Sequence, residues 1–288
     1  MLFDLQTPRR RRVVRVVFGG LALIFAVSFV FLGVGTGGGG FSFSDLFDGG
    51  GGSSSTAFDS DIEAAQAKLA INPNDTTTLA SLVQLQYSAA NSNTDSNGAP
   101  TSDGVQHLRE AADVWNKYVT ASKGNISPTA AVYALNTFDL LARIDFSQAR
   151  TDTTTTEALA DVNAAVDDWK SAAQAQQVLI TKQPKKATSN SYATLAQYLY
   201  LAGDTKGGDQ AAAQAKAVKG ADASTIDTQL KQVQQLGQQL QTAIKQLTKQ
   251  QQKTQGATGG GATGGATGGA NPLNGLGTGG LSGGSGGL

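Results

Sequence analysis

The chain has 288 residues with 22 basic and 22 acidic side chains, no cysteine and a single histidine, His107. That inventory excludes a disulfide framework, thiolate chemistry and a transition-metal site built from imidazole or thiolate clusters. Five arginines and Asp4 lie before residue 16, so the remainder carries 17 basic against 21 acidic residues and offers no basic stripe for a nucleic-acid partner.

Arg9 to Arg12 and Arg15 lead into an apolar run, Val13 to Val34, whose 22 residues match the roughly 20 that a helix needs to cross a hydrocarbon core. Arg15 sits at its start, where a long side chain reaches the headgroups. Basic residues precede the run, and Asp45 and Asp48 follow it. The positive-inside rule therefore makes 1–12 a cytoplasmic basic head and 13–34 a single transmembrane helix, with the rest of the chain extracytoplasmic. A cleaved signal peptide competes with this reading, but its apolar region spans only about 7–15 residues. The small-x-small sites here, Gly33-Val34-Gly35 and Ala26-Val27-Ser28, are poor. Residues 35–58 read as a Gly/Ser-rich tether, interrupted by Phe41, Phe43, Leu46 and Phe47, which either rest at the membrane interface or dock a partner.

Residues 59–254 read as all-helical, with no alternating strand pattern. Ser60-x-x-Glu63 is a capping box for a first helix carrying Ile62, Ala65 and Leu69, stopped by Asn72-Pro73. A second helix spans about Asp75 to Ala90, with Leu79, Leu82, Val83 and Tyr87 largely on one side. The polar stretch Asn91 to Ser102, with Gly98 and Pro100, is a loop. A third helix carries Val105, Leu108, Ala111, Trp115 and Tyr118 to Lys123-Gly124. Ser127-Pro128 opens a fourth, with serine as cap and proline in the first turn, and its stripe is Ala131, Leu135, Phe138, Leu141, Ala142 and Phe146. Thr154-x-x-Glu157 caps a long helix with Leu159, Val162, Val166, Trp169, Ala173 and Leu179. A short pair follows around Gly203-Asp204. A last helix, 222–253, spaces Ile226, Leu230, Val233, Leu240, Ile244 and Leu247 in a heptad-like seam with Gly237 at a weak position. The seam either packs on its own chain or forms a homo-oligomer contact. Residues 255–288 are a Gly-rich tail whose composition cannot offset its ordering entropy, so they are expected to be disordered.

Tyr192, Leu195, Ala196, Leu199, Gly203, Asp204, Gly208, Ala212 and Ala215 fall at the spacing of the tetratricopeptide (TPR) repeat, and this stretch resembles a TPR unit. Leu79, Leu82, Val83 and Tyr87, after Asn72-Pro73-Asn74-Asp75, resemble a junction between two such repeats, with Ala111 and Trp115 in the following helix. Ala212 is smaller than the usual aromatic, Gly220 replaces the closing proline, and the pair Pro128 to Lys182 exceeds the roughly 34 residues of a repeat. The resemblance covers Asp61 to Gly220. It implies an all-α solenoid of TPR-like hairpins after one N-terminal transmembrane helix, similar to membrane-anchored bacterial envelope proteins. It also implies a concave groove that holds an extended or helical peptide. Carried onto the best-matched unit, the groove positions are Asn190, Gln197 and Tyr200.

No arrangement for catalysis or phosphate cradling can be read: the glycine tracts do not open a helix after a strand. Asp167-Asp168 and Asp139/Asp145 read as solvated charges, and His107 as a surface residue. No cofactor, metal or enzymatic activity is expected. The expected partners are the lipid bilayer and a protein or peptide at the outer face of the membrane. The function implied is a scaffold for protein–protein interaction at the cell envelope, with a chaperone-like holder of translocated chains as the alternative.

Overall fold

A computed structural model describes residues 56–257, 271–274 and 276. The basic head, the expected membrane span over 13–34, the tether up to residue 55 and its Phe41 to Phe47 segment lie outside the described residues. Among those described, no helix is long and apolar enough to cross a membrane. Regular structure in them consists of eight helices and no strand: α1 (Thr56–Ile71), α2 (Thr76–Ser92), α3 (Ser102–Ser122), α4 (Pro128–Thr151), α5 (Thr155–Lys182), α6 (Ser189–Leu201), α7 (Thr205–Ala217) and α8 (Ala223–Ala257).

Short polar side chains set most helix starts by accepting backbone N–H groups that the first turn leaves unpaired. Asp75 accepts from Thr77 N–H at 3.1 Å, Thr154 from Glu157 at 3.2 Å, and Asp204 from Gly207 at 2.8 Å. Thr188 and Ser191 form a reciprocal capping box at α6. Two expected starts are corrected. Helix α1 begins at Thr56, a turn ahead of Ser60. Ser127 makes no side-chain cap; instead its backbone N–H donates to the Tyr118 hydroxyl at 2.6 Å, tying the start of α4 to the end of α3.

Consecutive helices pack as hairpins, α2 with α3, α4 with α5 and α6 with α7. Each hairpin leans on the next through α3 to α4, α5 to α6 and α7 to α8, and among the described helices α1 closely approaches α2 alone. The central pair, α4 and α5, is rich in buried small residues: Ala130, Ala131, Ala134, Ala142 and Ala149 on one helix, and Ala158, Ala165, Ala172, Ala173 and Ala175 on the other. Large side chains fill what the alanines leave. Phe146 and Trp169 are both buried, with ring centroids 5.7 Å apart, and Trp115 sits against Tyr118 at the same separation.

Helix α8 is 35 residues long and packs on α5, α6 and α7. Ile226, Leu230, Val233, Leu236, Leu240, Ala243 and Leu247 are all buried in this contact, so the heptad-like seam is used within the chain rather than left free for a second copy. Gly237 marks the crossing point. A Cβ built there would run into the Tyr200 carbonyl at the end of α6. What looked like a weak position is where the two backbones come closest.

Within the tail, residues 271–274 and 276 are described and pack on the helices. Asn271–Asn274 form a turn, Leu273 is fully buried and Leu276 is 7 % exposed in the same core as the helices. Composition across 255–288 is too poor in apolar residues for a core of its own, but these two leucines join one that already exists.

The substitution Gly237→Ala separates two effects of opposite sign. Intrinsic helix propensity favours alanine by about 1 kcal/mol, whereas overpacking a tight contact costs about 1–3 kcal/mol. Because the added methyl meets backbone, the account predicts net destabilisation in a urea titration; a gain in stability would show that α8 and α6 are not in close contact.

Candidate functional site

The three residues expected to line a groove on α6 do not form one open surface. Asn190 is exposed in the first turn and Gln197 is half-buried. Tyr200 is buried at 5 % exposure, its hydroxyl donates to Asp209 at 2.8 Å, and its ring covers Gly208 of α7. Burial and the Asp209 carboxylate push the Tyr200 phenol above its ordinary range. Tyr200 is therefore a joint between α6, α7 and α8. The spacing that places such a residue on a concave face presumes an open end to the hairpin array, and here α8 closes that end.

A cleft does exist at the other end, where α1 leans on α2 without reaching α3. It encloses about 380 Å³ and its lining includes Leu69 of α1, Leu79 and Leu82 of α2 and Val114 of α3, with Gln66, Glu110, Asp113 and Lys117 around them. Leu79, Leu82 and Val114 are buried and form an apolar floor, while neutral Gln66 and the charged Asp113 and Lys117 are exposed and form a polar rim. Ile71, at the end of α1, stands 88 % exposed. The volume lies at the small end of the roughly 300–1,000 Å³ of ligand sites, room for a few side chains.

One wall of the cleft is held by a polar chain that was not foreseen. Gln86 is 1 % exposed, donates through Nε2 to Glu110 Oε2 at 2.7 Å and receives His107 Nδ1 on Oε1 at 2.7 Å. Gln106 donates to the other Glu110 oxygen at 3.0 Å. Since the Gln86 amide nitrogen faces the carboxylate, its oxygen must accept, which places the proton on His107 Nδ1. His107 is thus a half-buried link in a network rather than the free surface residue expected. The pattern that reveals Gln86 is its register: it follows Leu82 and Val83 by a helical turn and precedes Ala90 by another, so it continues a buried row.

A second polar cluster corrects the reading of Asp139, Asp145 and Asp168 as solvated, while Asp167 is exposed as expected. Asp145 is 1 % exposed and accepts from Arg109 Nη2 at 2.9 Å, so it links α4 to α3. Asp139 pairs with Arg143 at 2.9 Å and faces Tyr198 of α6. The two do lie on different faces, as six-residue spacing requires, but neither is solvated. Asp145 Oδ2 is buried and finds no donor while both neighbouring carboxyls are ionised. Asp168 of α5 supplies one when protonated: burial first, then the Asp145 charge, push its carboxyl up to about 7, with Arg109 opposing and Asp167 adding to the rise. Burial also raises Asp145, against the pull of Arg109 and helped by Asp161. Asp145 and Asp168 are thus coupled where α3, α4 and α5 meet, a proton on Asp168 favouring the charged form of Asp145. Among the described residues, no group of three or more His, Asp or Glu is arranged to hold a metal ion.

No protein-family model matches the chain, and no curated protein or solved structure does so either.

The Asp168 carboxyl has a higher proton affinity folded than unfolded, where an aspartate titrates near 3.9. Its contribution to stability is therefore whole below about pH 4 and is lost as pH rises through about 7. Asp168→Asn keeps a donor for Asp145 at every pH. It should raise the melting midpoint at pH 8, by roughly 2–4 °C for each kcal/mol relieved, and leave it nearly unchanged at pH 4. Equal shifts at both pH values would contradict the coupling.

Proposed function

We propose that the chain is a membrane-anchored, extracytoplasmic scaffold of TPR-like helix hairpins that binds a protein partner through a short apolar segment inserted into the α1–α2–α3 cleft. The observation that carries this reading is the cleft's construction. Its floor is apolar, its rim polar, and its buried wall is fixed by the hydrogen-bonded Gln86 rather than left adaptable. Such a site selects one or two apolar side chains and checks the flanking charge against Glu110, Asp113 and Lys117. The TPR reading rests on the residue spacing from Tyr192 to Ala215 and on the succession of hairpins. The membrane anchor rests on the arginine-flanked run from Val13 to Val34.

A chaperone-like holder of translocated chains is less well supported. That role needs a broad apolar face, and among the described residues Ile71 and Val132 are the large hydrophobic side chains left exposed. The cleft, at about 380 Å³, is narrow.

Photo-crosslinking in native membranes tests the proposal. A crosslinker at Gln66, on the rim, should give one discrete protein adduct, and a crosslinker at Gln197 of α6 should not. Asp113→Lys, an exposed change expected to alter stability by less than about 0.5 kcal/mol, should reduce the Gln66 adduct about tenfold if rim charge contributes some 1.4 kcal/mol. Adducts at Gln197 alone would move the partner to the α6 face, and a smear of many proteins at Gln66 would favour the holder.

A further inference from the structure

The cleft leaves unused one motif that the tail composition made conspicuous. Asn271-Pro272-Leu273-Asn274-Gly275-Leu276 is preceded by residues 258–270, all Gly, Ala or Thr, and followed by Gly, Thr, Ser and Leu only. The chain thus carries a short sequence with two asparagines, a proline and two leucines in a background with no other proline, asparagine or charge. A core leucine needs no such neighbours; a recognition motif does.

The segment is arranged as a ligand. Asn271 Oδ1 accepts from Leu273 N–H at 3.0 Å, Asn274 N–H donates to the Asn271 carbonyl at 3.1 Å, and Leu276 N–H to the Leu273 carbonyl at 3.0 Å. Three of its backbone N–H groups are thus satisfied locally, and Pro272 restricts φ, both of which lower the ordering entropy that opposes docking. Two anchors then meet the helices: Leu273 is fully buried and Leu276 nearly so. A third contact is directional. Asn271 Nδ2 donates at 2.8 Å to the carbonyl of Ala149, one of the last carbonyls of α4, which lack intrahelical partners. Next to Ala149 in the chain, Arg150 Nε and Asp152 Oδ2 are buried without hydrogen-bond partners. None of these contacts depends on the covalent link to α8.

We propose that the C-terminal end of α4 is a short-peptide dock whose ligand is the Asn-Pro-Leu-Asn-Gly-Leu segment, filled in cis by the chain's own tail and in trans by the tail of a second copy when the cis segment is displaced. Short tethers give effective concentrations on the order of mM. A dock with a trans Kd of order 100 µM would then be about ten to one occupied in cis. Exchange between copies would occur only where chains are crowded or the tail is cut.

The test uses solubilised full-length chain and a fluorescent peptide with the sequence of residues 268–279. Two acceptors are prepared. One carries Leu273→Asp, which expels the cis segment. The other carries a protease site within 258–270 and is cut after folding, so a native fold is already formed when the tail is released. Fluorescence anisotropy should show saturable binding to both, at least tenfold tighter than to uncut wild type, and a peptide carrying the same Leu273→Asp change should bind neither. Should the point variant fail to fold, the cut chain decides. Absence of saturable binding to a cut chain of native helicity would overturn the dock, and equal binding to cut and uncut chain would overturn its occupation in cis.

Discussion

The close approach of α4 and α5 is the constraint on which the rest of the molecule depends. Ten buried alanines, five on each helix, leave little side-chain bulk along the pair to keep the two helices from their neighbours and from each other. Helix pairs with small contact residues sit at the near end of the usual 8–10 Å range. The remaining elements are placed against this pair: α2 and α3 pack on α4, α6 and α8 pack on α5, and the tail segment reaches the Ala149 carbonyl. Only α1 and α7 are a step removed, each held through a neighbour. Packing of Phe146 against Trp169 within the pair supplies the volume that alanines cannot, and both rings are buried.

Polar groups sealed into this frame decide its register more than they add to its stability. A buried ion pair must recover the cost of desolvating both partners, so Arg109 with Asp145 is weak evidence for stability. Removing one partner is a different matter, because it strands a charge among three helices. Gln176 behaves similarly at the next joint: it is fully buried and donates to the Ser191 carbonyl at 3.0 Å, setting how α6 meets α5. Each of these groups works only when its two helices are in one relative position, which is what a hairpin array needs if a cleft between hairpins is to keep its shape.

Much of this was legible in the residues. The helical periodicity from Ile62 to Leu247, the stop at Asn72-Pro73, the cap at Thr154, the turn at Gly203-Asp204 and the burial of both tryptophans follow from period and local chemistry. What was not legible depends on tertiary partners. Gln86, Asp145 and Gln176 occupy the i±3/i±4 rows of buried neighbours, but residue type alone argued for solvent, and only the presence of His107, Arg109 and Ser191 opposite them resolves the conflict. Tyr200 was placed on an open face because repeat spacing says nothing about which later helix caps the array. Gly237 looked like a defect because a heptad reading scores side chains, whereas the contact there is with backbone. In the tail, average composition concealed the two leucines that matter, and Asn271 finds its partner 122 residues away.

The functional account requires that the cleft have one wall less firmly held than the others, so that a segment can enter without disturbing the central pair. Helix α1 is that wall, since among the described helices it closely approaches α2 alone. Local stability across a fold follows the density of such contacts and is read out by amide exchange. Native-state hydrogen exchange on the full-length chain, resolved by peptide, is the most direct measurement. The account predicts that amides of α4 and α5 exchange only through global unfolding, while those of α1 exchange through a separate opening of lower free energy that leaves α2 to α8 protected. Exchange of α1 in step with α4 and α5 would mean that the cleft is a fixed crevice, and would contradict its use as an entry site.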